Sequence, residues 1–91
     1  MVADGHGGVD SASHCHEHAL TYAIRAAGLD ASASSLRAAC VAAFERLHRE
    51  VRAMRDCTSG STLTIVALNS ARSELTAANI GDTLAYVVCA R

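Results

Sequence analysis

Hydrophobic residues in the first half of the chain recur at steps of three and four, the spacing of one face of an α-helix. The first such segment predicts a helix from about Ser11 to Ala27, with Asp10 as its N-cap and Gly28 as its C-terminal stop. The predicted buried stripe consists of small side chains, which allow close approach of a neighbouring element, widened by two larger ones: Ala12, Cys15, Ala19, Ala23, Ala27, Leu20 and Ile24.

A second and clearer helical pattern follows, with Ser34 or Ser35 as its predicted cap. Its polar face carries arginines and glutamates, among them Glu45 and Arg49 at the spacing of a helical ion pair, and we interpret this face as solvated rather than as a docking patch. A short loop makes the two helices antiparallel. The apolar stripe contains Leu36, Cys40, Ala43, Phe44, Leu47, Val51 and Met54.

Beyond the loop that starts at Asp56 the hydrophobic period changes to two, which is typical of β-strands. The predicted fold class is α+β: an antiparallel β-meander covered on one face by an antiparallel helix pair. We expect one partial domain, with a strand end and loop at 1–8, two helices within 10–55 and a three-stranded meander within 58–91. The predicted strands are Ser61–Leu68, Glu74–Ile80 and Thr83–Cys89, joined by turns at Asn69–Ser73 and Gly81–Asp82.

Both faces of the predicted sheet carry apolar or small side chains, because both alternating sets of residues in the first strand are of these kinds. Two helices can cover only one face of a sheet. The other face is therefore expected to be sticky and to support self-association through this uncovered surface.

Composition narrows the function. Of 91 residues, 51% are hydrophobic, none is proline and the net charge is −1, which excludes a disordered tail and disfavours a nucleic-acid binder or a polybasic membrane surface. All eight basic residues are arginine, so a Walker loop and a catalytic lysine are excluded. No apolar run has the length of a membrane span.

The four cysteines form no C-x-x-C pair, so zinc-ribbon and thioredoxin patterns are absent from the sequence. Since the first residues also lack the pattern of a secretory signal, we expect an intracellular protein, cytoplasmic or nuclear. Cys40 and Cys89 are expected to be buried as small hydrophobic residues.

Chemistry is concentrated in the segment Asp4-Gly5-His6-Gly7-Gly8. A carboxylate at a strand end and an unobstructed glycine carbonyl are hard oxygen donors of the kind that Mg²⁺ and Mn²⁺ prefer. His6 would stand beside them as a group that moves protons near neutral pH. On the residues alone, an ordinary tight turn with Asp4 as its acceptor explains the same segment.

Three segments carry a resemblance to a known family. Val2 to Gly8 (VADGHGG), Ser59 to Thr62 (SGST) and Ala78 to Thr83 (ANIGDT) resemble, in order and spacing, motifs of the metal-dependent protein Ser/Thr phosphatases of type 2C, the PPM family. The similarity covers nearly the whole chain and corresponds to the central portion of the catalytic domain. It implies a partial version of that family's α-β-β-α sandwich.

The resemblance also implies roles for single residues. Asp4 would bridge two Mg²⁺ or Mn²⁺ ions, the Gly5 carbonyl would ligate one of them, and Asp82 would ligate a further, weaker ion. His6 would orient or protonate the leaving-group oxygen. The implied reaction is attack of a metal-bound water, as hydroxide, on phosphoserine or phosphothreonine in a phosphoprotein substrate, without a phosphoenzyme intermediate.

The sequence also departs from the family pattern. Only three residues precede Asp4, where the family has a phosphate-gripping arginine and a second acidic ligand, and no acidic residue follows Asp82. Thr83 and Leu84 replace the serine and arginine of the family's G-D-S-R version. We therefore expect the central third of a phosphatase, incomplete and with little or no turnover as an isolated chain.

Three interpretations of the sequence remain open. The chain is either that partial phosphatase or a non-catalytic interaction module, a pseudophosphatase remnant, whose uncovered sheet face binds a partner or itself. In a third interpretation, His14 and His18 lie on one helical face at a zinc spacing, although no third ligand follows and exposed histidines are the favoured explanation.

Overall fold

The computed structural model describes residues 1–55 and 57–90, so Asp56, where the loop was expected to begin, and Arg91, at the end of the expected meander, lie outside the described residues. The predicted α+β class is confirmed. The elements in chain order are β1 (Gly5–His6), α1 (Asp10–Ala27), α2 (Ala33–Ala53), β2 (Gly60–Ser61), β3 (Leu63–Asn69), a short 3₁₀ turn (Ser70–Arg72) and β4 (Glu74–Ile80). Neither described helix is long and apolar enough to cross a lipid bilayer.

Helix α1 is capped from a distance rather than by its own flanking residue. The prediction of Asp10 as N-cap was wrong: the N-cap is Val9, which offers no side-chain acceptor, and Asp10 is the first helical residue. The hydroxyl oxygen of Ser59, 48 residues along the chain, accepts the Ser11 backbone N–H at 3.0 Å. One of the orphan donors of the helix start is thus satisfied by the segment just before β2.

The prediction of Ser34 or Ser35 as the cap of α2 was wrong, because the helix already begins at Ala33. Its N-cap is Ser32, whose hydroxyl accepts the Ser35 backbone N–H at 3.4 Å. Asp30 fixes this turn by accepting hydrogen bonds from the Ser32 N–H and the Ser35 hydroxyl. The Ser35 hydroxyl is also the main reason why the pKa of Asp30 falls to about 2.

Small side chains lie where the two helices contact each other, as predicted. The side chains that meet in the core come from α1, from α2 and from β3: Cys15, Ala19, Ala23, Cys40, Ala43, Leu47, Leu63 and Ile65. The expected burial of Cys40 is confirmed. Leu20 and Ile24, expected to widen the α1 stripe, are instead exposed, because the narrow seam of alanines already brings α2 close.

The strands pair differently than expected, because they form two antiparallel sheets of two strands each, β1–β2 and β3–β4, instead of one three-stranded meander. Strands β3 and β4 form an antiparallel hairpin in which Leu63 lies opposite Ile80 and Asn69 opposite Glu74. On the other side, β1 pairs with β2, and Val2 bridges to Thr64, so the first residues of the chain run antiparallel to 60–64.

The predicted third strand, Thr83–Cys89, was wrong: residues 83–90 adopt no regular secondary structure. The Thr83 hydroxyl contacts that of Thr62, the residue just before β3. After Gly81 the chain therefore lies next to the start of β3. Alternating apolar residues favour a strand only where a partner completes the backbone hydrogen bonds. Cys89 is accordingly exposed, contrary to expectation.

One face of the hairpin is uncovered in the described part of the chain, as predicted. Val66, Leu68 and Leu75 project from the face opposite the helices and are 45%, 73% and 48% exposed. The Cα atoms span only 15 Å along the shortest axis of the molecule, which leaves room for one layer of helices on one sheet.

A polar cluster holds the exposed side of the helix pair together. The carboxylate of Glu50 on α2 accepts the Tyr22 hydroxyl at 2.8 Å and lies 2.8 Å from His14 Nε2, both on α1. Arg46 donates to Glu50 at 3.2 Å and places its guanidinium 3.7 Å from the centre of the Tyr22 ring. The sequence pattern predicts a solvated face for the glutamates of α2, Glu50 among them, but the Glu50 carboxylate in fact joins the two helices.

We expect Glu50→Gln to destabilise the protein by about 1 kcal/mol at neutral pH, since a charged acceptor of three side-chain donors is lost at a partly exposed site. His14, with Tyr22 and Arg46, lowers the pKa of Glu50 from 4.5 to about 2. A lowered carboxyl pKa stabilises the fold above the unfolded value and the effect is lost as the pH falls towards the folded value. The difference between the variant and the parent chain should therefore shrink between pH 4.5 and about 2.

Urea unfolding curves measured across this pH range test the prediction. Glu45→Gln is the matched control, because Glu45 lies exposed on the same helix. A pH-independent difference for Glu50→Gln, or an equal loss in the control, would contradict an ionised interhelical acceptor.

Candidate functional site

The loop around Asp4 is held by the start of the opposite strand. The Asp4 backbone carbonyl accepts the Thr62 N–H at 2.9 Å, and its own N–H donates to the Thr62 hydroxyl at 3.2 Å. Ser61 adds a hydroxyl hydrogen bond of 3.3 Å to the same carbonyl. With the backbone fixed by these neighbours, the Asp4 carboxylate stands exposed at the strand end.

His6 lies directly over Gly60, its partner in the β1–β2 pair. A Cβ atom on residue 60 would overlap the imidazole Nε2 and would come within 2.7 Å of its Cε1. Glycine at position 60 therefore leaves the space that the His6 imidazole occupies. The S-G-S-T segment and the D-G-H-G-G segment, matched separately to motifs in the sequence, are packed against each other here.

Asp82 follows a tight turn at the end of β4. Gly81 has φ +105°, and a Cβ there would lie 2.6 Å from the Thr62 side chain, so residue 81 is suited to glycine alone. Asn79 donates to the Gly81 carbonyl at 3.1 Å and accepts the Thr64 hydroxyl, which fixes the turn. The Asp82 carboxylate is exposed.

Thr62 connects the two acidic loops. Its hydroxyl lies 2.9 Å from that of Thr83, next to Asp82, and accepts the backbone N–H of Asp4. The side chain is buried and touches the position that Gly81 leaves free. In the sequence Thr62 stands out only as part of the S-G-S-T motif, because its bridging role depends on a strand pairing that no local pattern reveals.

The donor set can be tested against a divalent ion. Asp4, Asp82 and the Gly5 carbonyl offer oxygen alone, and both carboxylates face solvent. Across residues 1–55 and 57–90, no three His, Cys, Asp or Glu side chains are placed to hold a metal ion together. The described residues therefore show no assembled metal site, and what Asp4, Asp82 and Gly5 offer is oxygen donors of the type that Mg²⁺ and Mn²⁺ prefer.

A second set of polar residues, Ser11, Cys57 and Ser59, lies at the start of α1 and just before β2. Ser11 is almost fully buried and donates its hydroxyl to the Ser59 carbonyl at 2.8 Å, while the Ser59 hydroxyl donates back to Ser11. Cys57 lies within 3.5 Å of both hydroxyls, and hydrogen bonds from Ser11 and then Ser59 lower the pKa of its thiol. These contacts tie the start of α1 to the S-G-S-T segment and assign Ser59 a structural role.

The histidine pair of α1 is engaged in other contacts. His14 Nε2 lies against Glu50, and His18 stacks on Tyr22 with ring centroids 5.5 Å apart. Glu17, the nearest acid to His18, is 3.7 Å away. Since the described residues contain no group of three ligands, the zinc interpretation of His14 and His18 gains no support from the structure.

Comparison with known proteins gives one result. The family described as Protein phosphatase 2C matches the chain over residues 1–91. Neither the curated proteins nor the solved structures gave a significant match. The family match spans all three motif segments, which the structure places side by side, and it confirms the resemblance drawn from them. The chain belongs to the protein phosphatase 2C family.

Proposed function

We propose that this chain contributes part of the active site of a metal-dependent phosphatase that hydrolyses phosphoserine and phosphothreonine in proteins. The observation that carries the proposal is the link through Thr62, which holds the Asp4 loop and the Gly81–Asp82 turn in a fixed relation. Family membership supports hydrolysis of a phosphoprotein substrate. The oxygen-only donors support Mg²⁺ or Mn²⁺ as the cofactor.

Each residue at the site has a distinct task in this proposal. Asp4, the Gly5 carbonyl and Asp82 would hold the ions, which supply positive charge for the phosphoryl oxygens and lower the pKa of water. His6 would hold or give a proton at the leaving-group oxygen. Gly60 keeps the space in which the His6 ring lies, so its contribution is positional.

The ligand count limits what the 91 residues do alone. Asp4 supplies one carboxylate and Gly5 one carbonyl, while Asp82 would ligate a separate ion. An ion held by so few protein ligands would bind weakly, because affinity follows ligand charge and rigidity. We propose little or no turnover by the isolated chain. Further acidic ligands would come from polypeptide outside these residues or from another copy.

Manganese titration tests the metal assignment without any activity. We expect weak binding of paramagnetic Mn²⁺ to broaden the amide NMR signals of the Asp4 loop and of the Gly81–Asp82 turn first. Asp4→Asn should weaken this broadening several-fold, as a ligand charge is lost. Asp10→Asn removes a nearby carboxylate that has no assigned role and should leave it unchanged. Broadening centred on His14 and His18 would contradict the proposed site.

Hydrolysis of a phosphothreonine peptide with Mn²⁺ tests the proposed phosphatase activity and the low turnover expected of the isolated chain. Little turnover is expected from the parent chain. Strong Mn²⁺-dependent hydrolysis that Asp4→Asn abolishes would support the phosphatase assignment but would contradict the argument from ligand count. Hydrolysis that persists in Asp4→Asn would contradict the site itself.

Thr62→Val tests the link between the loops. The variant leaves the Asp4 N–H without its hydroxyl acceptor, and we expect a loss of about 1 kcal/mol with faster hydrogen exchange at Asp4. Thr62→Ser keeps the hydroxyl and should retain most of the exchange protection. Equal exchange rates in both variants would show that the hydroxyl does not fix the loop.

A second candidate function is a non-catalytic interaction module, favoured by the uncovered hairpin face. Val66, Leu68 and Leu75 form an apolar patch that water now contacts. Burial of such a patch in a second copy or a partner would remove it from water at a gain of about 25 cal/mol per Å².

Sedimentation velocity distinguishes this candidate. If the face associates, the parent chain should show a concentration-dependent dimer that the double variant Leu68→Ser/Leu75→Ser reduces. Leu29→Ser is the control, because Leu29 is a fully exposed leucine in the loop between the helices. A stable monomer over the accessible concentration range would contradict self-association through this face.

A further inference from the structure

The structure contains a cavity of about 350 Å³ between the helix pair and the strands. It is partly open to solvent, and its size lies in the range of small-molecule sites. Most of its wall is apolar and comes from both helices and both long strands: Cys15, Phe44, Leu47, Val51, Leu63 and Ile80. Neither the predicted metal ligands Asp4 and Asp82 nor the Glu50 cluster lines it.

Among the described residues that line the cavity, Arg52 is the one charged side chain, and its charge is positive. His48 and Arg52 lie four residues apart on α2, which places them on one face of the helix. Within the described residues, no aspartate or glutamate lines the cavity, and Arg52 forms no ion pair. Both side chains are exposed, so a ligand reaches them from solvent.

We propose that this cavity is a binding site for a small amphipathic anion, an aryl or alkyl carboxylate. The apolar part of the ligand lies against Phe44, Leu47 and Leu63. The carboxylate lies at the rim, where Arg52 supplies the planar donor pair that matches two carboxylate oxygens. Burial of the apolar part supplies affinity, and the charge selects an acid over a neutral analogue.

The site also adjoins the metal loop through one residue. His6 lines the cavity and is at the same time held against Gly60. A bound ligand would therefore contact the loop that carries Asp4. Ligand binding in this cavity requires neither a metal ion nor phosphatase activity, because all the residues that line it belong to this chain.

The experiment is an NMR titration with two probes of matched shape, 4-phenylbutyrate and the neutral 4-phenylbutanol. Saturable shifts are expected at the methyl groups of Leu47, Leu63 and Ile80 and at the Arg52 amide. The alcohol should bind at least about fivefold more weakly, because it lacks the charge-assisted hydrogen bonds. The proposal fails if no saturable shifts occur, or if they centre on the outer hairpin face.

Two variants separate the charge from the cavity. Arg52→Gln should weaken phenylbutyrate binding about fivefold and leave phenylbutanol unchanged. Arg49→Gln is the control, since it makes the same charge change on α2 at a position outside the cavity wall. Val51→Phe should fill the space and weaken both probes, while its spectrum shows whether the fold is kept.

Three results would overturn the proposal. Equal effects of Arg52→Gln and Arg49→Gln would mean that only overall charge attracts the acid. Equal binding of both probes would remove the carboxylate from the assignment. Nuclear Overhauser contacts between Leu84 or Tyr86 and the cavity residues in the free protein would show that the chain fills the space itself.

Discussion

The antiparallel pairing of Val2–His6 with Gly60–Thr64 is the interaction on which the rest of the structure depends. It joins segments that are nearly sixty residues apart, since Thr64 and Val2 exchange backbone hydrogen bonds in both directions at 2.9 Å. The two helices lie between these segments in the chain, so closing the pair also encloses α1 and α2 in one loop. Asp4 acquires its fixed position only when this pairing forms, and the site is therefore a product of tertiary structure.

The cost of such a pairing explains the polar contacts around it. Closing a long loop loses chain entropy before any long-range contact repays it. The free energy that offsets this entropy loss comes from burial of a core of alanine, cysteine and a few leucine or isoleucine side chains. These side chains bury less area than large residues would. Buried hydroxyls supplement that core: Ser11 with Ser59, and Thr62 with Thr83. Each is satisfied, which matters because an unmade buried hydrogen bond costs more than a made one contributes.

Much of the fold could be predicted from the sequence because its elements are locally encoded. The bounds of β4 and the end of α1 at Ala27 follow from periodicity and from Gly28. The failures share a cause. Ser59 rather than Asp10 caps α1, and Glu50 joins the helices although its position predicts a solvated face. Both depend on residues 28 to 48 positions away, about which local patterns carry no information.

The segment 83–89 shows the converse error. Its alternation of apolar residues is a good strand pattern, yet a strand also requires an edge with matching donors and acceptors. The pattern predicted a third neighbour for the hairpin, whereas Val2 and β1 occupy the side of β2 and β3 away from β4. For the proposed site, the motif resemblance predicts Asp4, Gly5, His6 and Asp82, whereas an ordinary tight turn equally explains the residues of 4–8 on their own. What resemblance did not supply was the connection between them.

That connection matters for the proposed metal site, because a weakly bound ion cannot order the loops that hold it. A ligand that binds only the folded form stabilises it by RT ln(1 + [L]/Kd), which is about 0.4 kcal/mol when its concentration equals Kd. With so few charged ligands, the Asp4 loop and the Gly81–Asp82 turn gain little order from a bound ion. Their geometry has to exist beforehand, and Thr62 provides it through one hydroxyl, which is both buried and satisfied. In the proposed site, the order of cause therefore runs from strand pairing to loop geometry, and metal binding would come after both.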